Sequence, residues 1–259
     1  TLFRSIELSL NADAIRTKDF DWNISLNLAH NENEVTRLSN DVFTMDKILL
    51  GDVFIRGGSS SGTHVLEEGR PIGQFYGLVC NGIDENGRYI LVDKDGDGEI
   101  SDPADYDYIG SAQPKLTYGI TNSFRYKNFD LSFFLRGTIG NDILNATRMA
   151  YAQSGFLPGT NALDDPLTYT LSETPRFSNY YLEKGSFMRL DNLTLGYKIK
   201  ALNGIRVYFT AQNLFVITKY KGLDPEVPMD SGDGLTPGVE PREFYPKART
   251  FSVGLNLNF

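Results

Sequence analysis

Apolar and polar residues alternate along much of this chain, the period of a strand with one apolar and one polar face. Ile6, Leu8, Leu10 and Ala12 alternate with Glu7, Ser9, Asn11 and Asp13. After the turn Arg16-Thr17-Lys18-Asp19, Trp22, Ile24, Leu26 and Leu28 alternate with Asn23, Ser25 and Asn27. Two such runs about a short turn predict a hairpin. A second hairpin is predicted from Leu116, Tyr118, Ile120, Phe124 and Tyr126, the turn Lys127-Asn128, and Phe129, Leu131, Phe133 and Leu135. A third joins Leu193, Leu195, Tyr197 and Ile199 to Ile205, Val207, Phe209 and Ala211. Its turn is Asn203-Gly204, a pair that tolerates positive φ. Phe251, Val253, Leu255, Leu257 and Phe259 predict a last strand that stops on an aromatic. Weaker strands are expected near 54–66 and 72–79 about the turn Glu67-Glu68-Gly69-Arg70, for about nine strands in all. Residues 31–47 show no period and read as a loop.

Short turns alternate with long polar connections at about 81–114, 139–186 and 219–247. A bacterial outer-membrane barrel has this asymmetry, with short periplasmic turns and long extracellular loops. With a periplasmic C-terminus, the four turns at Arg16–Asp19, Glu67–Arg70, Lys127-Asn128 and Asn203-Gly204 all fall on the periplasmic side. The expected fold is therefore all-β: an antiparallel up-and-down transmembrane β-barrel, present as its C-terminal portion only. About nine strands cannot close a broad barrel, so the chain reads as a piece of something longer. Trp22, Tyr76, Tyr118, Tyr126, Tyr197 and Tyr208 lie in or near the ends of these strands, where interfacial girdles form.

Composition narrows the function classes. The net charge of −8 argues against nucleic acid, whose phosphates demand a basic surface. No apolar run has the roughly 18 residues of a spanning helix. The mean hydropathy of −0.28 looks like that of a water-soluble protein, and a barrel would look the same, because every second residue meets lipid. Cys80 is the single cysteine, so no internal disulfide forms, and it reads as a small apolar strand residue. His30 and His64 are isolated, and no nucleophile elbow, zinc-protease, paired-cysteine or phosphate-loop motif occurs. Asp164-Asp165 reads as a solvated loop pair rather than an acid–base dyad.

Several segments carry a family resemblance. Glu68-Gly69-Arg70-Pro71-Ile72-Gly73 with Phe75-Tyr76-Gly77, and Asp93-Lys94-Asp95-Gly96-Asp97-Gly98 with Ile109-Gly110, are two of them. Others are Pro114, Tyr118-Gly119 and Tyr126-Lys127-Asn128-Phe129-Asp130. Gln212-Asn213-Leu214-Phe215, Tyr220-Lys221-Gly222-Leu223-Asp224-Pro225-Glu226 and Tyr245-Pro246-Lys247-Ala248-Arg249-Thr250 complete the set. In this order and spacing they resemble the C-terminal part of SusC/RagA-type TonB-dependent transporters of the Bacteroidota outer membrane. The resemblance covers essentially residues 1–259. It implies a barrel of about 22 strands, whose N-terminal plug and TonB-engaging segment are absent from this chain. It also implies uptake of oligosaccharides or peptides under a SusD-like surface lipoprotein, with TonB driving the opening of the plug.

One local motif suggests a metal. Asp93, Asp95 and Asp97 match positions one, three and five of a calcium loop, Gly98 follows, and the Glu99 carbonyl matches position seven. The twelfth position is Ala104, which cannot chelate; Asp105 stands one place later, with Asp102 near, and a one-residue insertion marked by Pro103 makes Asp105 the expected further ligand. No amphipathic helix flanks the loop. The expectation is a structural Ca²⁺ that stiffens an extracellular loop. Phe156, Tyr169, Tyr180 and Tyr181 are candidate contacts for sugar rings or a lid protein, or they pack within their own loop. The alternative to an importer is a secreted, calcium-stabilised β-sandwich binding module. That fold requires a second apolar sheet over the strand faces.

Overall fold

The computed structural model describes residues 1–58, 60, 62–200, 205–227, 234–242 and 245–257. Strands β1 (Leu2–Arg16) and β2 (Phe20–Glu34) form the first hairpin. The connection that follows holds β3 (Lys47–Leu50), β4 (His64–Glu67), β5 (Gln74–Leu78), β6 (Cys80–Ile83), β7 (Tyr89–Leu91) and β8 (Tyr106–Ser111). The chain then returns as β9 (Leu116–Tyr126) and β10 (Phe129–Ile139). A second connection carries β11 (Asp142–Leu144), α1 (Ala146–Tyr151), α2 (Pro166–Thr170) and β12 (Leu182–Lys184). Strands β13 (Phe187–Ile199), β14 (Ile205–Thr218) and β15 (Thr250–Asn256) complete the described strands.

Seven of these strands make one antiparallel sheet in the order β1-β2-β9-β10-β13-β14-β15. Its register turns the sequence alternation into continuous rows. Ile15, Trp22, Phe124, Leu131, Leu195, Phe209 and Val253 lie side by side across all seven strands. One step along, on the other face, lie Asp13, Asn23, Ser123, Ser132, Thr194, Thr210 and Ser252. The apolar rows are open: Ile6 is 73% exposed, Val253 77% and Leu255 62%. Among the described residues no second sheet covers them, so the β-sandwich loses its required feature. A contiguous open apolar face of this size marks contact with lipid or protein, and alternation across tilted antiparallel strands is the lipid-facing pattern of a barrel wall. Among the described residues, no helix is long and apolar enough to cross a membrane.

The ends of the strands differ. Lys127 N–H donates to the Asp19 carbonyl at 2.8 Å and Lys198 N–H to the Asn128 carbonyl at 2.9 Å, so the tight turns stand side by side. Lys127 takes φ 53° to make its turn. The Asn203-Gly204 turn lies outside the described residues, as do Asn258 and the terminal Phe259. Phe20, Trp22, Phe124 and Phe133 stack next to this end, with ring centres 5.6 to 6.4 Å apart along the chain of contacts. The three long connections leave from the opposite end.

Two expectations about the strands are corrected. Among the described residues the main sheet has seven strands rather than about nine, because β2 pairs directly with β9. The weak segments at 54–66 and 72–79 supply β4 and β5 of a separate four-stranded sheet, β3-β4-β5-β8. The turn Glu67–Arg70 accordingly lies at the long-loop end. Gly69 N–H donates to Val35 O and Val35 N–H to Arg70 O, both at 2.9 Å, just past the end of β2. Tyr76 leaves the expected girdle with β5 and packs on Tyr106 and Tyr108. Tyr208 faces the polar side, where its ring lies over the Cβ-less Gly254.

The buried core sits in the connections rather than in the sheet. Val53, Ile55, Phe75, Leu144, Met149, Leu167, Phe177 and Tyr181 form one apolar cluster. Helix α1 is capped by Asn145, which accepts from Arg148 N–H at 2.9 Å, and α2 by Asp165 before Pro166. Asp165 also pairs with Arg148 at 3.0 Å, so it is a structural residue rather than a solvated one.

Candidate functional site

The body built from the long connections, with the polar face of the sheet beneath it, is where a ligand could be met. The segment 68–77 shows how that body is held. The Glu68 carboxylate accepts the amides of Leu38 and Ser39 at 2.6 and 3.1 Å. Those amides hold the Glu68 carboxyl below its usual range. Ile72 and Phe75 are buried, and a Cβ on Gly77 would stand 2.6 Å from the Phe177 ring. The residues that carry the first resemblance are therefore packing and turn residues.

The acidic loop brings Asp93, Asp95 and Asp97 together, with one carboxylate oxygen of each within 4.8 Å of the others. Asp93 accepts the amides of Gly96 and Gly98 at 2.6 and 2.9 Å, Asp95 that of Asp97 at 3.1 Å, and Asp97 that of Glu99 at 2.8 Å. Asp105 is placed differently. It is buried, and its oxygens accept the amides of Lys94 and Ser101 at 2.6 and 2.8 Å. It pins the loop from below instead of joining the triad. Three carboxylates suit a hard divalent cation, whose full shell of six to eight oxygens leaves the rest to carbonyls and water.

The four loop aromatics divide. Tyr169 is 75% exposed and Phe156 38%. Tyr180 is half-buried, edge-on to Tyr89 and Tyr181, with the Arg148 guanidinium 5.3 Å from its ring centre. Tyr181 is fully buried and its hydroxyl meets that of Tyr89, so it is a core residue with no surface to offer. Burial pushes the Tyr89 phenol up to about 12 and the Tyr181 phenol higher still.

A charge network holds the segment after β14 against the polar face. Arg189 is 1% exposed and reaches Asp224 at 2.5 Å. Arg136, beside it on β10, donates to Glu226 at 2.6 Å and to Asp191 at 3.0 Å, and Lys247 also reaches Glu226. Burial opposes the charge on Glu226, but Arg136 and Lys247 outweigh it and hold the carboxyl below its usual range. Asn213, at φ 51° in a bulge of β14, accepts from Arg189 and donates to Lys247 O at 2.7 Å. The sequence motifs around Asn213, Asp224 and Lys247 thus converge on one strap, which their separation along the chain conceals.

Arg56 and Arg242 carry no sequence signature and meet only in the folded loop body. Arg242 stands 4.0 Å from the Phe54 ring centre, and Arg56 is 5.3 Å from the Tyr151 ring centre and 5.2 Å from that of Phe156. No spacing could have found this cluster, because it is assembled from three separate connections.

No protein-family model matches the chain. It is 36% identical to the TonB-dependent receptor SusC of Bacteroides thetaiotaomicron, over 98% of this chain and 26% of that protein. It is 32% identical to the TonB-dependent receptor P3 of Formosa agariphila, over 99% of this chain and 28% of that protein. Among solved structures, the RagAB peptide transporter superposes with a TM-score of 0.75 at 25% identity, over 98% of this chain and 29% of that chain. These relatives are named as receptors and transporters, not enzymes. The chain spans 26 to 28% of the length of these curated relatives. Matched almost end to end in sequence and in fold, the chain belongs to the SusC/RagA-type TonB-dependent receptors.

Proposed function

We propose that this chain is a barrel wall and outer loop body of an outer-membrane importer that takes up oligosaccharides or peptides. The observation that carries the reading is the pairing of open apolar rows across seven strands with loops sorted by length between the two strand ends. Such a wall fits lipid on one face and an aqueous lumen on the other. The loop body then lies outside the cell, where ligand arrives. In this reading a SusD-like lipoprotein covers the loop body, and TonB acts through receptor segments beyond this chain. Asp93, Asp95 and Asp97 hold a calcium ion that stiffens the acidic loop.

The test is to isolate the polypeptide that contains this chain from the outer-membrane fraction and identify what co-purifies. A polypeptide several-fold longer, resistant to extraction without detergent and bound to a lipoprotein, is expected. A detergent-independent 29.0 kDa chain without a partner would overturn the reading. For the metal, Ca²⁺ is expected to slow proteolysis between residues 93 and 105, and EDTA to restore it; cleavage indifferent to both removes the ion.

A further inference from the structure

Two guanidiniums of the loop body, those of Arg56 and Arg242, stand together with no acid paired to either among the described residues. Arg125, Arg136, Arg148, Arg176, Arg189 and Arg206 each reach a carboxylate. Among the described residues, Arg56 and Arg242 join no ion pair. The chain has 33 Asp and Glu against 25 Lys and Arg, so acids are not scarce. Both guanidiniums lie on the same ring instead: Arg242 is 4.0 Å from the centre of Phe54 and Arg56 is 6.0 Å from it. Phe156, the second ring under Arg56, closes over Gly57, whose φ is +78° and where a Cβ would meet the ring at 3.3 Å.

The bonding of Arg56 is incomplete. One terminal nitrogen donates to the Thr160 hydroxyl at 3.2 Å, while its Nε is shielded and has no hydrogen-bond partner among the described residues. An aromatic ring engages the face of a guanidinium and leaves its in-plane N–H fork free. The complement of that fork is a planar oxyanion, bound by two parallel charge-assisted hydrogen bonds. Phe54 is 44% exposed, so apolar surface lies beside the fork for the body of a ligand.

We propose that Arg56 and Arg242, set on Phe54 and Phe156, form a recognition site for the carboxylate of an incoming ligand. The carboxylate belongs to a uronate-bearing oligosaccharide or to an acidic peptide. In biological use this rests on the importer reading; the binding chemistry stands without it.

The test uses the full receptor that contains this chain, purified in detergent and titrated calorimetrically. The probes are trigalacturonate against its full methyl ester, and the C-terminally amidated peptide Glu-Phe-Glu against Gln-Phe-Gln, likewise amidated. At least one acidic probe is expected to bind ~10-fold or more tightly than its neutral partner, the scale of a charge-assisted pair. Arg242→Gln and Arg56→Gln should each remove that preference, and Arg242→Lys should keep part of it. Arg242 is exposed, so its variants keep the test readable if Arg56→Gln, tied to Thr160, fails to fold. Preference for trigalacturonate alone assigns a sugar acid, and preference for the peptide alone assigns a peptide. Response to both assigns the carboxylate itself. Equal affinity for acidic and neutral probes, no binding of either acid, or an acid preference unchanged in a folded Arg242→Gln would overturn the proposal. A receptor missing from the outer-membrane fraction would remove the importer reading while leaving the titration result standing.

Discussion

Asp105 and Glu226 show how much work single carboxylates do in the outer body. Backbone amides, first that of Ser101 and then that of Lys94, hold the Asp105 carboxyl below its ordinary 3.8. A depressed folded-state pKa contributes stability that is complete above the ordinary value and is lost as pH falls through the folded one. The acidic loop should therefore keep its protection at neutral pH and lose it only in acid, below about pH 4. Glu226 gives the strap the same sign of dependence, from its ordinary 4.5 downward. Asp105→Asn should open the loop at neutral pH, read as faster hydrogen exchange at the amides of Lys94 and Ser101. Unchanged exchange there would deny Asp105 this role. The spacing of Asp93, Asp95 and Asp97 was legible in the sequence because a turn of this kind is local. The role of Asp105 was not, because it depends on how the backbone closes around it. Phe156 and Tyr181 share one connection, yet one is exposed and the other is core; that difference arises from tertiary packing which spacing does not encode.

At the level of elements, the seven long strands were readable because each has one apolar and one polar face, and period two survives only under that condition. The weak pair was misplaced for the complementary reason. His64, Val65 and Leu66 in β4 are all buried, so no alternation marks their faces. His64 is tied by its ring nitrogens to Thr63 and to the Pro237 carbonyl, both at 2.9 Å, which makes it a core residue within a strand. Adjacent residues on β10 offer a test of the two faces. Leu131 lies on the apolar row and Ser132 on the polar row. In the complete receptor, Leu131→Arg should lower barrel stability by about 2–4 kcal/mol if it sits near mid-bilayer, whereas Ser132→Arg should cost far less. Urea unfolding in detergent or lipid measures both, and equal losses would contradict the assignment of faces.

Across the molecule, the sheet is open. β1 and β15 stand at its two edges, each with one side unpaired among the described residues. Long open edges beside an apolar face invite association. The 259-residue chain expressed alone should therefore aggregate in detergent-free buffer, whereas the receptor containing it should stay dispersed in detergent. Light scattering decides this, and a monodisperse free chain would count against a lipid-facing wall. This openness was inferred from the count of alternating runs, although the count itself fell from about nine to seven once β4 and β5 moved to the outer body.

The direct pairing of β2 with β9 has one more consequence. Ala29 faces Thr117 across the ladder, a separation of about 5 Å. Beyond Ala29, β2 continues along β1 to Glu34, so residues 35–115 leave and rejoin the scaffold on neighbouring strands, about 15 Å apart along them, and their length and sequence place little mechanical demand on the wall. They behave as an interchangeable cassette. Exchanging it would alter what the outer surface meets while leaving the membrane-facing rows and their register in place.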